Sequence, residues 1–362
     1  MSEFEVKQER MRALMAKHNL DALLLQRVSS FAWATCGAAS YVNTAVSFTG
    51  TVLLVTPTHR YLIANNIETP RLEREEQLAA QGWEFQTSHW HEASALTELT
   101  RGLKIGTDMP HPTALDLSDP MTRLRAQLTP EEGGRFRALG RLSAEAMSVA
   151  ARATKPGQTE FEIAARLGAE VQSRGAQPIV NLIATDERIF NFRHPLPTTK
   201  QLERYAMLVL GARKWGLTCS ITRLIHFGRL PDEIQRKAEA VALVDATFIA
   251  NTRPGKTLGE IFSAATEAYA AAGFADEWKL HHQGGAAGYE PREYLGTLKS
   301  QDVALGGQAF AWNPSITGVK SEDTLLLGDS TNEILTRMVD WPTISISIGG
   351  QSITRAAILT CM

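Results

Sequence analysis

The feature that most constrains how this chain folds is an internal echo. Ala153-Thr154-Lys155-Pro156-Gly157-Gln158-Thr159, then Glu162-Ile163 and Gly175, is matched by Asn251-Thr252-Arg253-Pro254-Gly255-Lys256-Thr257, Glu260-Ile261 and Gly273, every matched pair lying 98 residues apart. Pro-Gly sets a tight turn, the threonine caps the helix that follows, and the glycine ends it. Each copy therefore predicts a helix, a turn and a second helix leading into sheet, and two copies predict a duplicated α/β half. Strands are expected after the first copy at 179–184, 205–210 and 220–224, and after the second at 309–312 and 324–327. From Pro342 onward, Ile344, Ile346 and Ile348 alternate with Ser345 and Ser347, the period-two pattern of one more strand with a solvated face. Many short strands with two equivalent helix pairs fit a curved sheet backed by helices.

Upstream of the repeat the pattern changes. Phe4, Met11, Leu14 and Met15 recur near helical spacing, residues 20–25 form a short apolar strand, and segments 52–55 and 61–64 flank the turn Thr56-Pro57-Thr58-His59. The charged stretch 71–76 reads as the start of a surface helix, and 104–106 as a strand end. Leu128-Thr129-Pro130-Glu131-Glu132 is a helix start, with Thr129 as N-cap and Pro130 at the first helical position. The expected organisation is an α/β domain over 1–127 and a second, duplicated domain over 128–362.

A chain of 362 residues, 44% of them hydrophobic, has enough apolar material for two buried cores. Its net charge of -2, with no run of Lys or Arg, gives no electrostatic footprint for nucleic acid or an anionic membrane, so a small molecule is the expected partner. The charged N-terminus lacks the apolar stretch of a signal peptide, and no segment approaches the roughly 20 apolar residues that span a bilayer, which predicts a cytoplasmic protein. Cys36, Cys219 and Cys361 are odd in number and lack Cys-x-x-Cys spacing, which argues against a disulfide framework and a thiolate zinc site. Cys219 is expected to be a small buried core residue.

Together these segments resemble the aminopeptidase P, prolidase and creatinase family over nearly the whole chain. The resemblance implies a small N-terminal creatinase-like α/β domain followed by a pseudo-twofold pita-bread domain, in agreement with the repeat. Family members that are peptidases hold two divalent cations with two Asp, one His and two Glu. On this resemblance, Val209 in Leu208-Val209-Leu210-Gly211-Ala212 stands at the first carboxylate, and Ser220 in Thr218-Cys219-Ser220-Ile221-Thr222-Arg223 at the second. His282 in His281-His282-Gln283-Gly284-Gly285-Ala286-Ala287-Gly288-Tyr289-Glu290-Pro291 keeps the ligand histidine, with Tyr289 at that motif's second histidine. Asn313 in Asn313-Pro314-Ser315 stands at a third carboxylate, and only Glu322-Asp323-Thr324 keeps its acid. A pair of hard dications needs several anionic oxygens to offset dehydration, so no resident metal or other cofactor is expected.

Creatinase resembles the rest of the family in fold yet hydrolyses a C-N bond without metal, using a histidine. The residue that matches it here is His194, in Asn191-Phe192-Arg193-His194-Pro195-Leu196-Pro197-Thr198. An imidazole with a pKa near neutrality takes a proton from water and returns it to a leaving nitrogen. His194 is therefore the expected general acid/base, with His282 and Glu322 as further catalytic groups. Arg292, in an Arg292-Glu293 pair similar to one in creatinase, is expected to bind a substrate carboxylate through its planar guanidinium, and Tyr289, His281, Asn313 and Arg223 are the other substrate-side candidates, Arg223 also as the ion-pair partner of Glu322. The expected function is metal-independent hydrolysis of a C-N bond in a small carboxylate-bearing substrate. The alternatives are a metal-dependent Xaa-Pro peptidase, or a pita-bread binding module that catalyses nothing, as the corresponding domain of a histone chaperone resembles. The resemblance further implies a homodimer.

Overall fold

The computed structural model describes residues 1–328 and 331–361. It divides into two compact units, one made of residues 1–132 with 215–217, the other of 133–214 with 218–362. The first unit carries a six-stranded sheet in the order Glu84–Ser88, Arg60–Asn65, Phe48–Val55, Ala22–Arg27, Ile105–Thr107, Leu115–Asp116. The turn at Pro57 closes as its residue types require: the Thr56 N–H donates to the His59 carbonyl at 2.9 Å, and the Thr56 hydroxyl accepts the His59 N–H at 2.9 Å. The charged stretch near residue 71 is a short helix, Thr69–Arg74.

The helix predicted from Thr129 runs Pro130–Ala153. Its start is a capping box, in which the Thr129 N–H donates to the Glu132 carboxylate at 2.6 Å and the Thr129 hydroxyl accepts the Glu132 N–H at 3.3 Å. Two more boxes open the helices Glu160–Gln172 and Leu258–Ala271, at Thr159 with Glu162 and at Thr257 with Glu260. Gly157 and Gly255 turn with φ of +86° and +90°, and Gly175 and Gly273 leave their helices at +72° and +85°, a region closed to most side chains. The duplication reaches further than the motif. The Gly157 N–H donates to the Leu202 carbonyl and the Leu202 N–H to the Gln158 carbonyl, both at 2.8 Å, while Gly255, Ala304 and Lys256 repeat the exchange at 2.9 and 2.8 Å. The strapping residues Leu202 and Ala304 are 102 apart rather than 98, so the second copy has gained four residues between turn and strap.

Two sheets follow from the two halves. One orders Leu359–Cys361, Leu217–Phe227, Tyr205–Lys214 and Gln177–Thr185; the other orders Tyr294–Leu295, Gly284–Ala287, Ala309–Trp312, Asp323–Leu327 and Asn332–Ile334. An isolated bridge between Thr222 and Glu322 links them, the Thr222 N–H donating to the Glu322 carbonyl at 3.1 Å. Phe248 stacks on Trp312 at 4.5 Å between centroids, and the Trp312 indole N–H reaches the Thr252 hydroxyl at 2.9 Å, so this aromatic core is tied to the second repeat. The isoleucine-serine alternation is the strand Thr343–Ile348, paired antiparallel with Gln351–Ala356, its serines exposed and its isoleucines half-buried. Cys219 is fully buried, and that burial pushes its thiol up to about 12, the inert core residue expected. Among the described residues no helix is long and apolar enough to cross a membrane.

Candidate active site

The segment bearing His194 leaves the strand Gln177–Thr185 through a short helix, Glu187–Asn191. Glu160, fully buried, accepts the Thr185 N–H at 2.8 Å and hydroxyl at 3.1 Å, the Thr198 N–H at 2.9 Å and hydroxyl at 2.7 Å, and the Arg188 guanidinium. One carboxylate thereby pins both ends of the loop. Near its middle, Arg193 donates to Glu277 at 2.7 Å and to the Thr317 hydroxyl at 3.0 Å, beside His194. Glu160→Ala strands these donors in a buried place and is expected to lower folding stability by about 2–4 kcal/mol, read as a fall in the urea midpoint. A shift under about 0.5 kcal/mol would show that the loop does not depend on it.

His281 and His282 follow the 3-10 turn Glu277–Leu280 and lead into the strand Gly284–Ala287. The Gln283 amide holds this segment, donating to the carbonyls of His281 at 2.6 Å and Trp278 at 3.2 Å and accepting the Tyr269 hydroxyl at 2.7 Å. Gly284 is obligatory: at φ +98°, a Cβ there would lie 2.1 Å from the Ala311 carbonyl oxygen. A cavity of about 510 Å³ opens beside both histidines, with Phe262, Trp278, Leu295 and Leu298 among its walls.

These segments bring His194, His281 and His282 together. The Nε2 atoms of His194 and His281 lie 3.0 Å apart, and the His282 ring centroid is 4.5 Å from that of His281 and 5.7 Å from that of His194. Glu322 and Arg292 form a second, charged group. The Glu322 carboxylate accepts Arg292 at 3.0 Å, Lys320 at 2.8 Å and the Thr222 hydroxyl at 2.6 Å, and Arg292 also donates to the Ser220 hydroxyl at 3.2 Å. Burial raises the Glu322 pKa, but Lys320 and Arg292 outweigh it and hold the carboxyl at about 2. Partial burial, then Lys320, pulls His281 down to about 2; the partial desolvation of the more exposed His282, then Arg292, pulls it down to about 4; partial desolvation, then Lys320, also lowers the exposed His194. All three imidazoles are thus neutral bases at neutral pH.

The sequence expectation for Arg223 is corrected. Its guanidinium pairs with Asp323 at 2.8 Å and touches only the backbone carbonyl of Glu322, because Glu322 and Asp323 are successive residues of an extended segment and project to opposite sides. Asp323 belongs to a separate buried network with Arg355 at 2.6 Å, and Arg355 also meets Asp245 at 2.5 Å. Tyr289 is buried, with its backbone N–H bonded to the Glu293 carboxylate at 2.9 Å. Asn313 is buried with its N–H on the Gln283 carbonyl at 3.0 Å, and its Oδ1 has no hydrogen-bond partner among the described residues. Lys320 and Glu160 went unrecognised in the sequence; for Lys320 the usable signal was its place two residues before Glu322, on the same side of an extended segment.

The charge pattern fixes a pH response. A carboxyl at about 2 when folded and 4.5 when unfolded contributes stability that is full above pH 4.5 and is lost as pH falls toward 2, on the order of 3 kcal/mol. His281 and His282, depressed from 6.5, act in the same sense from pH 6.5 downward. The melting temperature is expected to fall steadily between pH 7 and pH 3, and Glu322→Gln to flatten the part below pH 4.5. An unchanged slope in that variant would remove Glu322 as the cause.

The sequence pattern of metallopeptidase family M24 matches residues 134–329. A Xaa-Pro dipeptidase from Pyrococcus horikoshii is 27% identical over 191 residues, which cover 50% of this chain and 54% of that protein; the chain spans about half the length of the curated relatives it matches. The solved Xaa-Pro dipeptidase from Bacillus anthracis superposes with a TM-score of 0.80 at 19% identity, covering 99% of this chain and 100% of that one. The N-terminal domain of FACT complex subunit SPT16 from Cicer arietinum superposes at 0.72 and 12% identity, covering 93% of this chain and 97% of that one. At such identities the superpositions show the fold alone, an N-terminal α/β domain with a pita-bread domain. With the family pattern running through more than half of its residues, the chain belongs to metallopeptidase family M24.

Proposed function

We propose that this chain hydrolyses a C-N bond in a small, carboxylate-bearing substrate, with His194 as general base and without the pair of dications used by peptidases of the family. The observation that carries the reading is the state of Glu322. At the five positions where the resemblance expects metal ligands, it is the one acid, and Lys320, Arg292 and Thr222 already occupy its carboxylate. Val209 lies in the apolar core, Ser220 accepts a hydrogen bond from Arg292, and Asn313 is neutral. This donor set does not fit two hard dications, whose dehydration it does not offset. Lys320 and Arg292 against Glu322 leave a net charge of +1, which suits an anionic substrate.

In this reading neutral His194 takes a proton from water as the water oxygen bonds to the substrate carbon. The C-N bond then breaks as the same proton passes to the leaving nitrogen. Arg292 and Lys320 hold the substrate carboxylate or the oxygen that gains negative charge. Turnover is expected to survive exhaustive dialysis against a strong chelator. The second reading, a metal-dependent Xaa-Pro dipeptidase, is favoured by the names of the relatives, and an Xaa-Pro dipeptide also carries a carboxylate and a scissile C-N bond. Loss of Xaa-Pro dipeptide turnover on chelation, restored by Mn²⁺, would establish it. Thermal-shift screening of small amido, guanidino and Xaa-Pro acids identifies the substrate class, since a ligand in excess of its Kd raises the melting temperature.

A further inference from the structure

We propose that His194, His281 and His282 form a binding site for a single transition-metal ion of the cobalt, nickel, copper or zinc class. One ring nitrogen from each lies within 4.8 Å of the others. A tetrahedral ion bound at about 2.0–2.1 Å holds its ligand nitrogens about 3.3 Å apart. The His194 and His281 Nε2 atoms already stand 3.0 Å apart, so modest ring rotations bring all three onto one ion. The two facing Nε2 atoms stand at hydrogen-bond distance, where two neutral rings have room for one proton between them, while Nδ1 of His281 is buried with no hydrogen-bond partner among the described residues. Coordination resolves that crowding by giving both Nε2 lone pairs one acceptor.

The supports are hydrogen-bonded on both segments. The Gln283 amide and the strand entry at Gly284 hold His281 and His282, and Arg193, clamped by Glu277 and Thr317, holds the backbone beside His194. This donor set differs in kind from the carboxylate-rich centre of the family's peptidases: three imidazoles, with Lys320 and Arg292 nearby, select ions that bind nitrogen strongly and exclude Mg²⁺, Ca²⁺ and Mn²⁺. The site does not rest on the proposed hydrolysis. Where both hold, an ion that takes the His194 lone pair removes the general base, so the ion inhibits.

The test uses tag-free, chelator-stripped full chain. Titration with Co²⁺ is expected to give the intense visible absorption of a four- or five-coordinate site, saturating at one ion per chain, and calorimetry to show one Zn²⁺ bound and no Mg²⁺. His281→Ala and, from a different segment, the exposed His194→Ala should each weaken Zn²⁺ binding at least tenfold, with folding checked by circular dichroism. No saturable binding, or Zn²⁺ affinity unchanged in both variants, would overturn the site. The two proposals fail separately: no bound ion removes the site and leaves metal-free hydrolysis standing, whereas turnover that appears only with Zn²⁺ removes metal-free hydrolysis and leaves the site.

Discussion

Arg355→Ala is expected to cost about 3–5 kcal/mol of folding stability, because it strands the buried Asp245 carboxylate and takes one of two cationic partners from Asp323. Arg355 is 1% exposed and lies between Asp245, at 2.5 Å, and Asp323, at 2.6 Å. Among the described residues Asp245 keeps only the Ser321 hydroxyl without it, and its pKa is already raised by burial despite Arg355. Asp323 still has Arg223 and the Thr336 hydroxyl, so most of the cost falls on Asp245. Urea denaturation measures the loss, and adding Asp245→Asn to Arg355→Ala should recover part of it by removing the stranded charge. A loss below about 1 kcal/mol, or no recovery in the double variant, would show that the network is hydrated and that Arg355 does not hold it together.

His194→Ala is expected to lower kcat by roughly 10²- to 10⁴-fold on whichever substrate the thermal-shift screen finds, with little change in melting temperature. The side chain is exposed at the mouth of the cluster, and its loop is held by Glu160 and Arg193 through contacts that alanine does not disturb. Lys320→Met provides the contrast. It takes one cation from Glu322, so KM for the anionic substrate rises while His194 remains in place. Near-wild-type kcat in His194→Ala would end the role given to it, whatever happens to KM.

What the sequence made legible was local. The Thr159 and Thr257 boxes are three-residue interactions, and their glycine exits follow from the need for positive φ, so reading along the chain was enough to find a duplicated α/β unit. Family resemblance brought His194, His281 and His282 to notice, and folding places them in one cluster. Contacts made across the fold stayed hidden. Glu160 meets Thr185 and Thr198 across 25 and 38 residues, and Arg355 meets Asp245 across 110, separations at which no periodicity marks a pair. Arg223 pairs with Asp323 rather than Glu322 because side chains alternate along extended chain, and choosing between the two acids requires knowing which face looks inward.

The bridge between Thr222 and Glu322 joins the two sheets through the same residue whose carboxylate holds Lys320, Arg292 and the Thr222 hydroxyl. Any ligand that draws those cations toward itself pulls on a seam, so the Thr222 amide proton is a native gauge of occupancy. Its exchange with deuterated solvent should change when an anion enters the cleft, giving a signal of substrate binding that needs no turnover.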